Sequence, residues 1–243
     1  MKLVKAGSLV SAALWMVACA SSTDDAHAGS THDADEAALP SALTIFPDEI
    51  YTGFDGTNKY LSPIIAVSNK GNVSWTIDDP TIASIDLNSV DPKAKPGGVN
   101  IVLTALKPGT TKLHATDGTQ KAEATLTVLS YPVSQYEAGK VRYAKAPNEK
   151  NPACNECHAP GKGPDHTPTE LDADTDEQVQ NTFLSGVDPE NRPIDYEGEF
   201  KTILNGHDHK WEVTADEKVG LVAYMRALKP LAFPKFDEPT TQK

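Results

Sequence analysis

At 243 residues the chain exceeds one ordinary domain, and a length of about 150 residues per domain suggests two compact units. Its 34 acidic residues outweigh 22 basic ones, and the net charge of −12 excludes general attraction to nucleic-acid phosphate or to anionic lipid surfaces. Hydrophobic residues make up 39% of the chain, enough for cores, but only the amino terminus approaches an uninterrupted apolar stretch, and three cysteines are too few for a disulfide scaffold.

Lys2 and Lys5 precede the apolar stretch Leu9 to Ala18, the positive-then-apolar layout of an export signal that is too short to span a bilayer. Residues 1–18 are therefore expected to be a signal peptide and the remainder extracytoplasmic. Met16-Val17-Ala18-Cys19 resembles the lipobox of bacterial lipoproteins, with Met16 where Leu is usual. That resemblance implies lipidation of Cys19 and a cell-envelope address, either periplasmic or at the outer membrane and cell surface. The alternative is cleavage at Ala18-Cys19-Ala20 with no lipid. Residues 19–40 carry Asp24, Asp25, Asp33, Asp35 and Glu36 with little that is apolar, so they are predicted to form a disordered acidic stalk. His27 and His32 are read there as polar filler.

From residue 41 to 130 short β-rich runs alternate with turns. Seven strands are predicted: Leu43–Phe46, Ile64–Val67, Val73–Ile77, Ile82–Ile85, Val99–Ala105, Thr110–Thr116 and Lys121–Leu129. Period two is clear in Val73/Trp75/Ile77 and in Ala122/Ala124/Leu126/Val128, which places one face of each strand in a core. His114 falls on the solvent side of its strand. The segments Val73-Ser74-Trp75, Thr81-Ile82-Ala83-Ser84-Ile85-Asp86, Thr104-Ala105-Leu106-Lys107-Pro108-Gly109-Thr110 and Ala124-Thr125-Leu126-Thr127-Val128 resemble a bacterial Ig-like domain of group 2. The resemblance implies a β-sandwich with a core Trp on a central strand, acting as a spacer or adhesion module without chemistry.

After Tyr131-Pro132 the pattern becomes helical, so the fold class expected is multidomain: an Ig-like β-sandwich at 41–130 followed by an all-α unit at 131–243 with its own core. Gln135 to Lys145 predicts a first helix. Thr175-Asp176-Glu177-Gln178 is a capping box for a helix running to Gly186. Thr214-Ala215-Asp216-Glu217 is another, opening a helix that runs to about Leu228, with Arg226 suiting the dipole of its last turn. Asp172, Asp174, Asp176 and Glu177 suit a helix start, and they also offer an acidic face able to steer a basic partner.

Between these helices lies Cys154-Asn155-Glu156-Cys157-His158. Positions i, i+3 and i+4 share a face of a helical turn, so two sulfurs and an imidazole can address one flat ligand. This is the spacing of covalent haem c attachment: Cys154 and Cys157 add to the two vinyl groups, and His158 supplies the proximal iron bond. Zinc would lack a second cysteine pair, and a redox dithiol would lack a βαβ setting.

The second unit resembles a class I monohaem cytochrome c, through the haem motif, through Gly139 and Tyr143 in the first helix, and through Leu221-Val222-Ala223-Tyr224-Met225-Arg226-Ala227-Leu228 in the last. It departs from the family by an insertion, Ala146 to Ala153, and by lacking a Met-Pro pair for the distal ligand. The distal candidates are His166, His207, His209 and Met225. His166 is ranked last because it follows the motif closely, and Met225 reads as core at helical spacing. His209 is preferred over His207 because Trp211 follows it closely, so bis-histidine ligation through His158 and His209 is expected.

The function implied is that of a non-enzymatic electron carrier with one covalent haem, held to the membrane only by its lipid. It would exchange electrons with a basic or neutral redox protein and would not engage nucleic acid. Two alternatives stay open: a surface-binding or sensory module whose haem senses gas or redox state, and a peroxidase or dehydrogenase subunit.

Overall fold

A computed structural model describes residues 42–68, 72–86, 98–148, 151–158, 163–194 and 209–234, all within one compact unit. The expected signal peptide, Cys19, the stalk at 19–40 and His207 lie outside the described residues. No helix among the described residues is long and apolar enough to cross a membrane.

The strands are β1 (Thr44–Phe46), β2 (Glu49–Phe54), β3 (Leu61–Val67), β4 (Ser74–Ile77), β5 (Ala83–Asp86), β6 (Gly98–Ala105), β7 (Gly109–Thr116) and β8 (Lys121–Ser130). They form two four-stranded sheets, β1-β3-β6-β5 and β2-β8-β7-β4. All pairs are antiparallel except β2 with β8, which runs parallel from Glu49↔Thr125 to Phe54↔Ser130. Alternation puts Leu113, Ala115, Ala124, Leu126 and Val128 into one core with Ile50, Ile64, Ala66, Ile101 and Leu103 of the facing elements.

Two sandwich details differ from expectation. β2 is an additional strand, and the chain changes sheet between β1 and β2 around the cis Phe46–Pro47 bond. Trp75 lies on β4 at the edge of its sheet rather than on a central strand, and packs half-buried against the core.

The helices are α1 (Val133–Ala144), α2 (Cys154–Cys157), α3 (Pro168–Leu171), α4 (Asp176–Ser185) and α5 (Ala215–Arg226). Both capping boxes form. Thr175 Oγ1 accepts from Gln178 N at 3.3 Å while Thr175 N donates to Gln178 Oε1 at 2.9 Å, and Thr214 and Glu217 make the same exchange at 3.2 and 2.8 Å. α4 ends at Gly186, whose φ of 67° is the left-handed conformation glycine adopts without a Cβ penalty. α5 stops at Arg226, two residues short of the expected end, and α3 is a turn that its short length hid.

α1 and α5 cross where Gly139 meets Gly220. A Cβ on Gly139 would overlap the Gly220 carbonyl, and one on Gly220 would overlap the Gln135 carbonyl. With both side chains absent the backbones touch, and Tyr136 and Tyr143 flank Tyr224 at ring separations of 5.6 and 5.1 Å. The sandwich and the helices keep distinct apolar clusters, but a third cluster of Tyr60, Tyr131, Tyr136 and Ala223 joins them.

Polar groups complete that junction. Tyr51 N donates to the Asp172 carbonyl at 2.7 Å, and the Tyr131 hydroxyl donates to the Asp176 carboxylate at 2.8 Å. Arg226, expected to suit the dipole of the last turn, is fully buried. It donates to the carbonyls of Tyr51, Leu171 and Asp174 at 2.5, 3.1 and 2.6 Å and to Asp176 Oδ1 at 3.1 Å. A buried guanidinium is tolerated only when its donors are so occupied.

Candidate functional site

The cysteine motif occupies the single turn α2, closed by His158 N donating to the Cys154 carbonyl at 2.9 Å and opened by Ala153 N donating to Glu156 Oε1 at 3.0 Å. This turn aims Cys154, Cys157 and His158 into one cavity of about 260 Å³, walled chiefly by apolar surface including Val179, Phe183, Trp211 and Leu221. The two cysteines are not joined as a disulfide. Burial pushes the Cys154 thiol up to about 11 against the opposing pull of Arg142, so at neutral pH it is a thiol rather than the thiolate of a reactive dithiol.

Three imidazoles reach the same cavity: His158, His166 and His209. His158 Nδ1 lies 3.0 Å from the Pro164 carbonyl and His209 Nδ1 lies 2.8 Å from the Thr182 carbonyl. A carbonyl only accepts, so each Nδ1 carries the hydrogen and each neutral ring keeps its lone pair on Nε2. Burial depresses both: His158 falls below the usual imidazole value, and His209 falls to about 4 despite the bond to Thr182. Both rings are therefore neutral, lone-pair donors near pH 7.

The ring centres of His158 and His209 stand 6.1 Å apart. Two imidazoles bound through nitrogen to one metal at ~2.0–2.1 Å have centres roughly 6 Å apart, a separation of the same size as this one. His166 stacks on His158 at 3.5 Å, which leaves no room for an atom between those two. Its Nδ1 is buried without a hydrogen-bond partner among the described residues, and burial holds its basicity well below the usual value. The sequence, which ranks His166 last among the distal candidates, carries no local signal of its burial.

Met225 also lines the cavity, as part of the helical core with Tyr143, Phe183 and Leu221. Trp211 packs edge-on to His209 at 4.3 Å, and its Nε1 donates to the Pro152 carbonyl at 2.9 Å, which ties the segment carrying His209 to the segment before α2. Among the described residues, no three His, Cys, Asp or Glu side chains form a group that could by itself hold a metal.

The acidic run differs from expectation. Asp172 is buried, Asp176 is bound to Arg226 and Tyr131, and Asp174 is half-buried on the cavity wall, so only Glu177 of the four stands in solvent. That run offers no open acidic face.

Residues 52–128 match the bacterial Ig-like domain (group 2), and this part of the chain is such a domain. No curated protein matches the chain. Among solved structures, domains 1–6 of the surface layer protein SbsC match 39% of the chain at 15% identity with a TM-score of 0.31. The sialic acid binding region of a Streptococcus sanguinis SK1 adhesin matches 41% at 11% identity and 0.31, and the Yersinia pseudotuberculosis adhesin InvE matches 39% at 21% identity and 0.26. The matches span 13%, 31% and 28% of those three chains.

Proposed function

We propose that the chain is a c-type cytochrome: a non-enzymatic, single-haem electron carrier in the cell envelope, lipidated at Cys19, with its Ig-like domain standing between anchor and haem. The observation that carries this reading is the convergence of Cys154, Cys157, His158 and His209 on one apolar cavity, both imidazoles held by backbone carbonyls with Nε2 as the lone-pair donor. A haem would need two iron-binding side chains from the chain, and His158 and His209 would be those two.

Cys154 and Cys157 would hold the haem through thioethers, and His158 and His209 would bind its iron through Nε2. The bound group would supply one-electron chemistry. The chain's own task is to fix both rings and exclude water with Phe183, Trp211 and Leu221. Two imidazoles committed to the iron would disfavour gas sensing and peroxide reduction. The export signal and the Ig-like domain support an extracytoplasmic address. A basic or neutral redox protein fits the net charge of −12.

The test is production of the full chain in a host that matures c-type cytochromes, followed by a haem stain on a denaturing gel. Wild type should retain haem through denaturation, and Cys154→Ser with Cys157→Ser should lose it. A wild-type chain without covalent haem overturns the proposal. Mass spectrometry of the mature amino terminus should find lipid on Cys19, and a peptide starting at Ser21 without lipid would remove the anchor.

A further inference from the structure

The sequence marks Ala146 to Ala153 as an insertion, and its described end is built into the fold. Asn151 and Ala153 are buried, and Asn151 N donates to the Asn148 carbonyl at 3.2 Å, which closes a turn. From this end, bonds run to the segment that follows His209: Trp211 Nε1 donates to the Pro152 carbonyl at 2.9 Å, and Glu212 N donates to Asn151 Oδ1 at 3.0 Å. On its other side the same segment is held by α4, where His209 Nδ1 donates to the Thr182 carbonyl at 2.8 Å and Trp211 N to the Phe183 carbonyl at 2.8 Å. Residues 209–214 form no helix or strand, so they have no ladder of their own and these outside bonds fix them. Arg142 of α1 anchors the grip from behind. It is buried, and its Nη1 donates to the same Pro152 carbonyl at 3.1 Å. Its Nε and Nη2 are buried without a partner among the described residues, so an aliphatic side chain would pack there at less cost, and the bond to Pro152 is what the guanidinium adds.

We propose that Asn151 is a positioning residue for the distal ligand: together with the Pro152 carbonyl it holds residues 209–212 against the start of α2 and so keeps His209 on the iron. The inference rests on the haem reading above. Asn151 and Pro152 lead directly into Ala153, the residue that opens α2, so one short stretch of backbone links the turn carrying Cys154, Cys157 and His158 to the segment carrying His209. The rings of His158 and His209 stand 6.1 Å apart across that link. Asn151 acts only through Glu212. Without its bond the Glu212 amide turns to water, the segment keeps its hold on α4 but loses part of its hold on α2, and His209 leaves the iron more readily.

Carbon monoxide titrated into the reduced, haem-bearing full chain tests this, because it competes with His209 for the iron and changes the visible spectrum where it wins. Asn151→Ala should bind it about tenfold more tightly than wild type, the size expected for one buried hydrogen bond. Trp211→Phe keeps a ring beside His209 but removes the Nε1 donor, and it should shift binding in the same direction. Ala223→Gly, in the cluster that joins the sandwich to the helices, should lower stability in denaturant unfolding without changing the affinity for carbon monoxide. An Asn151→Ala or Trp211→Phe chain that binds carbon monoxide no more tightly than wild type, or an Ala223→Gly chain that gains as much as either, overturns the inference. A chain that fails the haem stain overturns the cytochrome reading and this inference together, and the stain on the same sample tells the two failures apart.

Discussion

At the scale of single residues, backbone carbonyls decide which imidazoles can serve as ligands. Pro164 and Thr182 each take the Nδ1 hydrogen of one ring, so His158 and His209 hold their lone pairs on the opposite nitrogen without the cost of deprotonation at neutral pH. Met225 reaches the cavity too, but it is packed in the helical core among Tyr143, Phe183 and Leu221, where a thioether commonly fills space. His209→Ala should therefore open the sixth position to added imidazole in the visible spectrum, whereas Met225→Leu should leave it closed. Oxidised wild type should lack the far-red sulfur-to-iron band, and its potential should lie below that of methionine-ligated relatives. The band's presence, or a six-coordinate His209→Ala protein that Met225→Leu converts to five-coordinate, would reverse the assignment.

At the scale of elements, the crossing of α1 and α5 depends on two missing side chains. Adding a methyl at Gly220 drives it into the Gln135 carbonyl, a backbone atom that cannot rotate away, so the helices must part. Gly220→Ala should cost about 3 kcal/mol in denaturant unfolding, near the upper end for overpacking, while Ala223→Gly a turn later should cost only the ordinary ~1 kcal/mol helix penalty plus a small packing loss. Equal losses at both positions would remove the crossing as the cause. Sequence carried much of this level. Strands with strict alternation, such as Lys121–Ser130, and helices with capping boxes could be read locally, and so could the one-turn geometry of Cys154, Cys157 and His158. β2 could not, because its inward positions include Thr52 and its outward positions include Gly53, which is fixed by the rings of Tyr60 and Tyr131 pressed against it. The carbonyl partner of His209 lies 27 residues away at Thr182, and Asp172 reads as part of an acidic face and Arg226 as a helix-end charge because nothing in their neighbours reveals that another domain covers them.

At the scale of the whole molecule, Arg226 joins the Ig-like domain to the helices. Its guanidinium donates to Tyr51 of β2, to Leu171 and Asp174 around α3, and to Asp176 of α4, so the two parts share one buried cation. Asp172 faces it at 3.8 Å, and neither Asp172 carboxyl oxygen has a hydrogen-bond donor among the described residues. Burial raises Asp172 to about 8, although Arg226 pulls the other way. A carboxyl whose folded value lies above its unfolded one contributes stability that is complete below about pH 4 and is lost as pH rises through about 8. Arg226→Leu removes the opposing cation, which lifts the folded value further and carries that loss on to higher pH. The expected penalty is about 3–5 kcal/mol near pH 10, well above the wild-type value of about 8, where wild type holds a paired carboxylate that the variant must either keep protonated or leave unpaired. Near pH 5 it should be smaller, because Asp172 is already neutral in the folded state and leaves no unpaired charge. Denaturant unfolding of wild type and Arg226→Leu at the two pH values checks this. A penalty that does not change with pH would mean that Arg226 acts only through its bonds to main-chain carbonyls and that Asp172 does not sense it.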